Sequence, residues 1–208
     1  LSGLAGAKWA LHARARAMKA AGEPIIELTI GEPDVPTPPR FMEVAAKSMM
    51  SGRTGYSNGR GEPGVVAALA ARYTARRGRE ITRDQIMCLP GTQTELYAIM
   101  RALVETGDEV LVGDPMYAEY EGQIAQTGAR MVPVPLRPEH GFRMQAADVA
   151  PRITPQTRLL FLNSPHNPTG AVLRPEDITE LGALAKAHDL WILADEVYEE
   201  MVFPNVKF

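Results

Sequence analysis

A single cysteine, Cys88, in 208 residues leaves no partner for an intramolecular disulfide, so packing has to hold the fold. It sits in Ile86-Met87-Cys88-Leu89, where a buried thiol acts as a small hydrophobe. No apolar run approaches the ~18 residues of a membrane-crossing helix. Lys8, His12, Arg14 and Arg16 interrupt the N-terminal stretch where a signal peptide would be continuously apolar. Basic residues never cluster beyond a pair such as Arg76-Arg77, and the formal net charge is −3, so no electrostatic footprint for nucleic acid exists. No histidine, cysteine and carboxylate group stands at metal-ligand spacing, which argues against a transition-metal site. These absences leave a cytoplasmic protein with small soluble partners, no nucleic acid and no membrane as the expectation.

What is present has a rhythm. Leu4, Ala7, Leu11, Ala15 and Met18 recur at spacings of three and four, the mark of one apolar helical face, and Gly22 stops it. Gly31-Glu32-Pro33-Asp34 followed by Pro36, Pro38 and Pro39 predicts a stiff, extended loop. Helical stretches are expected over 40–51, 63–77, 93–105, 116–127 and 175–188. Pro63 and Pro175 mark starts, and Gly78 and Gly107 mark stops. Short apolar runs at 86–89, 109–112, 130–134, 158–162 and 190–194 read as strands. Alternation of this kind predicts an α/β fold with a mostly parallel sheet covered by helices on both faces.

Ligands in such sheets bind at the carboxyl ends of strands, and four of these junctions are chemically unusual. The turn Pro90-Gly91-Thr92-Gln93-Thr94 opens into a helix whose free N–H groups favour an anion, although taken alone the turn is better explained by Thr92 or Thr94 as a simple cap. Gly113-Asp114-Pro115-Met116-Tyr117 sets an aromatic ring at the start of the next helix, for stacking on a planar ligand or for ordinary packing. Asn163-Ser164-Pro165-His166-Asn167-Pro168-Thr169-Gly170 crowds two prolines and a glycine around Asn167. Asp195-Glu196-Val197-Tyr198 sets an acid and a phenol three residues apart, which a helical turn makes neighbours. His166 is not assigned a direct role, and His12, His140 and His188 read as surface or helix-end residues.

The string Ser164-Pro165-His166-Asn167-Pro168-Thr169-Gly170 resembles the Asn-Pro-Thr-Gly signature of class I/II aminotransferases, the pyridoxal 5'-phosphate (PLP) enzymes of fold type I. Gly31-Glu32-Pro33-Asp34, Gly55-Tyr56-Ser57-Asn58-Gly59-Arg60-Gly61 and Gly107-Asp108-Glu109-Val110 also look like this family, in its order, so the resemblance covers essentially the whole chain. It implies PLP as cofactor and amino transfer from an amino acid to a 2-oxo acid by a ping-pong route. It further implies Asp195 at the pyridine nitrogen, Tyr198 and Asn167 at the phenolic oxygen, and Tyr117 on the ring face. Thr92 and Gln93 would lie at the phosphate, with Tyr56 reaching the partner subunit's phosphate in a homodimer. Gly31 would lie near the substrate carboxylate, where a missing side chain permits close approach.

The family's covalent lysine has no match among Lys8, Lys19, Lys47, Lys186 and Lys207, so no catalytic residue is assigned within the chain. That lysine and the arginine for the substrate α-carboxylate are expected beyond Phe208, the chain ending before the fold is complete. Residues 1–40 are then an arm with part of a small domain, and 41–208 the first part of the large cofactor-binding domain. Gln93 stands where dicarboxylate-specific relatives carry lysine, which puts aspartate or glutamate specificity in doubt. A PLP-dependent lyase and a non-catalytic effector-binding domain of a regulator are the alternatives.

Overall fold

A computed structural model describes residues 6–206 and 208. They divide into two compact units, one built on Leu96–Phe208 and one on Ala10–Glu95.

The first unit is organised by four parallel strands in the order β2-β1-β3-β4. These are β1 (Glu109–Asp114), β2 (Arg130–Pro135), β3 (Thr157–Asn163) and β4 (Trp191–Asp195). Their side chains alternate between faces, and both faces are apolar. Val110, Val112, Leu159, Phe161 and Leu193 cluster with Leu96, Met100, Tyr120 and Ile124, which come from α4 (Thr92–Leu103) and α5 (Tyr120–Ala125). Leu111, Val134, Leu160 and Leu162 turn the other way and cluster with Val149 of α6 (Ala146–Val149) and Leu181 of α7 (Pro175–Ala187). Helices therefore cover both faces, as the alternating pattern requires. Buried Glu109 ties the strand starts together, receiving Thr154 at 2.8 Å, Thr157 at 3.4 Å and the Arg130 guanidinium. Burial raises its proton affinity, but these donors outweigh burial and hold the carboxyl below the ordinary value.

The second unit carries α1 (Gly6–Ala20) from Ala10 onward, α2 (Pro39–Met50) and α3 (Pro63–Arg77). Helix α1 stops where Gly22 N–H donates to the Lys19 carbonyl and Glu23 N–H to that of Met18. Its less exposed row is His12, Ala15 and Met18, so Ala15 and Met18 of the expected face lie in it, whereas Leu11 is exposed and His12 takes its place. The reason is polar: His12 Nδ1 lies 2.7 Å from the Thr29 hydroxyl and 3.2 Å from Glu27, so His12 is not a bare surface residue. Leu4 lies outside the described residues. His140 and His188 are exposed, His188 as the cap of α7.

Two elements depart from the expected pattern. Residues 86–89 form no strand, since among the described residues no strand pairs with them. Cys88 N–H donates instead to the Arg60 carbonyl at 2.9 Å. Gly61 makes that approach feasible, with φ +108° and a position where a Cβ would come within 2.8 Å of the Cys88 Cβ. Cys88 itself is only half-buried. Helix α5 begins at Tyr120, not at 116, because Met116 and Tyr117 pack against the core in an irregular segment and a Tyr117-to-Tyr120 turn precedes the helix.

Among the described residues no helix is long and apolar enough to cross a membrane. No group of three or more histidine, cysteine or carboxylate residues among them is placed to hold a metal ion.

Candidate active site

Strands β3 and β4 end in register at Asn163 and Asp195, and this pair founds the site. Asn163 Nδ2 donates to the Asp195 carbonyl at 3.0 Å, while Asn163 Oδ1 accepts the Asn167 N–H at 2.8 Å. One side chain thus fixes both the end of β4 and the loop that follows β3. That loop closes on itself: His166 N–H donates to the Ala171 carbonyl and Gly170 N–H to the His166 carbonyl, both at 2.8 Å. The Ser164 hydroxyl accepts the Leu173 N–H at 3.0 Å.

Asn167 emerges from the loop with its Nδ2 donating to the Tyr198 hydroxyl at 3.2 Å. Tyr198 reaches it from the turn after β4, where Val197 N–H folds back onto Asp195 Oδ1 at 3.1 Å. Asp195, Asn167 and Tyr198, assigned from two motifs, are therefore brought together at one rim of the sheet.

Asp195 is 7% exposed, and its second oxygen accepts the Tyr120 hydroxyl at 2.7 Å. Tyr120 is buried in turn, with its ring centroid 4.3 Å from that of Phe161 and 5.5 Å edge-on from Tyr117. Burial foremost, and then the Asp195 carboxylate, push the phenol's proton affinity far above its ordinary value, so it keeps its proton and donates it to Asp195. Half-buried Tyr117 precedes α5 and leans on Tyr120 rather than standing within the helix.

His166 is buried, its Nδ1 2.7 Å from the Thr169 hydroxyl. Desolvation lowers its proton affinity against an opposing hydrogen bond to the Pro115 backbone, so it is held neutral more firmly than a free imidazole. It ties the segment after β1 to the Asn167 loop. Sequence reasoning assigned no role to Asn163 or Tyr120. The three-residue spacing from Tyr117 to Tyr120 was the available signal for the second.

The remaining candidates belong to the other unit. Thr92 and Gln93 open α4, where Gly91 at φ +92° turns the chain and accepts the Thr94 and Glu95 N–H groups. The Thr94 hydroxyl donates to the Pro90 carbonyl at 3.0 Å. Tyr56 is fully exposed, on a loop braced by Arg53 at 2.7 Å and Ser57 at 2.6 Å from Glu62. Gly31 is exposed, and a Cβ there would meet nothing within 4 Å. Lys19, Lys47 and Lys186 are exposed and none joins the Asp195 group, while Lys207 lies outside the described residues.

A parallel α/β sheet with a buried acid at one strand end and an Asn-Pro-Thr-Gly loop at its neighbour defines a fold type I cofactor enzyme scaffold. Residues 23–208 match the model of the family aminotransferase class I and II, and the chain belongs to that family. It is 44% identical over 203 residues to arginine–pyruvate transaminase AruH of Pseudomonas aeruginosa, covering 98% of this chain and 52% of that protein. It is 34% identical over 199 residues to the aspartate/prephenate aminotransferase of Thermus thermophilus, covering 96% and 52%. The solved structure of Thermus thermophilus aspartate aminotransferase with maleate superposes with a TM-score of 0.90 at 33% identity, over 98% of this chain and 53% of that one. The chain thus spans about half the length of these relatives.

Proposed function

We propose that the protein is a PLP-dependent aminotransferase that moves an amino group from an amino acid to a 2-oxo acid in two half-reactions. The observation that carries this reading is the Asp195 carboxylate, buried at a strand end and held by two neutral donors, Tyr120 and the Val197 N–H. Burying a charge is costly unless a partner of opposite sign meets it. A protonated pyridine nitrogen is such a partner, so the residues fit the cofactor. PLP, when bound, supplies the electron sink that stabilises negative charge at the substrate Cα, and it does so best with its ring nitrogen protonated.

The chain's own residues have distinct tasks. Asp195 keeps a proton on the ring nitrogen through a charge-assisted hydrogen bond. Asn167 and Tyr198, within 3.2 Å of each other, present donors to the phenolic oxygen. Tyr117 covers a ring face, and backbone N–H groups of Thr92 and Gln93 receive the phosphate at the start of α4. Exposed Tyr56 reaches the phosphate of a partner subunit, which makes the working unit a two-fold homodimer. Gly31 lies on the loop that approaches the substrate carboxylate. The covalent lysine is supplied from outside the residues described, and the enzyme works in the cytoplasm.

Similarity to the AruH transaminase makes arginine with pyruvate the first donor–acceptor pair to test. Mixing PLP-loaded full-length protein with amino donor alone should release one equivalent of 2-oxo acid per site without ammonia, and adding acceptor should then yield its amino acid. Ammonia released in step with 2-oxo acid would point to a lyase and contradict the assignment.

A further inference from the structure

We infer that Tyr120 is a positioning residue for the cofactor, acting through Asp195, and that it joins the ring-face residue Tyr117 and the ring-nitrogen acid Asp195 into one mechanical unit. The inference rests on the PLP reading above, which uses Tyr120 only as a donor to the Asp195 carboxylate.

A carboxylate side chain turns about two bonds, and a hydrogen bond to the pyridine nitrogen requires one orientation of it. In this site both oxygens are engaged by fixed donors. Val197 N–H holds Oδ1 at 3.1 Å and Tyr120 O–H holds Oδ2 at 2.7 Å, which leaves each oxygen further lone pairs for a third donor. The Tyr120 ring cannot swing away, because it is 2% exposed and wedged against Phe161 at 4.3 Å within the core on one sheet face. The hydroxyl reaches across 75 residues of sequence, from the start of α5 to the end of β4, so this bond is built by the sheet and not by local chain geometry. Tyr117 rests edge-on against the same ring, 5.5 Å away at 75°. Anything that shifts Tyr120 therefore shifts both Tyr117 and Asp195. With Tyr120 only 2% exposed and its hydroxyl bonded to Asp195, its effect on the cofactor passes through the carboxylate.

Hydrogen bonds to charged groups contribute more than neutral ones, so losing this donor should weaken PLP binding by about tenfold. The test is a double-mutant cycle on full-length protein, read as PLP dissociation constants from cofactor fluorescence or absorbance. Tyr120→Phe should raise the constant about tenfold beside Asp195 and change it by less than about twofold in an Asp195→Ala background. Equal losses in both backgrounds would mean that Tyr120 acts through packing alone, and no loss in either would deny it any role. Both results overturn the inference while leaving the PLP reading intact. Wild-type protein that takes up no PLP would overturn the reading and the inference with it. If Tyr120→Phe fails to fold, 3-fluorotyrosine at position 120 keeps the ring and hydroxyl but makes a more acidic donor. It must then move the pH titration of the bound-cofactor absorbance, and an unmoved titration overturns the inference.

Discussion

The unit on Leu96–Phe208 and the unit on Ala10–Glu95 come from one chain but solve different problems. In the first, the alternating residues of β1 and β3 are buried on both faces, and the polar groups of Asn163, Asp195 and Tyr120 are satisfied by one another. In the second, α2 buries none of its residues, and Ile26, Leu28, Met50 and Tyr56 are strongly exposed. The contrast separates a packed cradle, in which neighbouring groups hold Asp195, from a segment whose candidate residues Tyr56 and Gly31 are exposed.

Substitutions sharpen the contrast. Leu160→Ala, at a fully buried position of strand β3, should cost about 2–5 kcal/mol of stability in denaturant unfolding. A loss well under ~1 kcal/mol would break the claim that the sheet holds this unit. Asp195→Ala should lower amino transfer by about a hundredfold or more with the circular dichroism of the fold retained, since a pre-organised charge is removed from the site. Unchanged turnover would remove Asp195 from the mechanism. Tyr56→Phe should loosen cofactor retention several-fold in the dimer, on the order of one neutral hydrogen bond. Subunit mixing with an Asp195→Ala chain would show whether the hydroxyl serves its own site or its partner's, and identical retention in all mixtures would exclude Tyr56.

His166 supplies a pH test. Its folded-state proton affinity lies below the ordinary value of 6.5, so below that pH the unfolded chain binds more protons than the native one. Its contribution is thus present above 6.5 and is lost as pH falls toward the lowered folded value. Replacing His166 with glutamine should flatten stability over that window, whereas an unaltered slope would show that another group titrates there. The smallest effect belongs to the other unit: Met50→Ala, 90% exposed, should change stability by less than about 0.5 kcal/mol in the isolated chain.

The same contrast explains what could be read without coordinates. Strands at Glu109–Asp114 and Thr157–Asn163 are legible because apolar runs of that length, flanked by turn residues, have few other homes. The run at 86–89 looks alike in sequence, yet whether a strand forms depends on a free ladder, and Cys88 finds the Arg60 carbonyl instead. Asp195, Asn167 and Tyr198 are legible because each lies in a recognisable junction. Tyr120 and Asn163 are less so, since their meaning lies in contacts spanning 75 and 32 residues that no local pattern encodes. The late start of α5 has the same origin: core contacts of Met116 and Tyr117 override a helical pattern.

The central claim is that the Asp195 carboxylate, held by Tyr120 and the end of β4, keeps a proton on the nitrogen of a bound pyridine ring. Nitrogen-15 NMR of full-length protein loaded with ring-labelled PLP reads that proton directly. The account predicts a pyridinium shift in the wild type near neutral pH and a neutral-pyridine shift in Asp195→Ala. A neutral shift in the wild type, or a pyridinium shift that survives loss of Asp195, would contradict it.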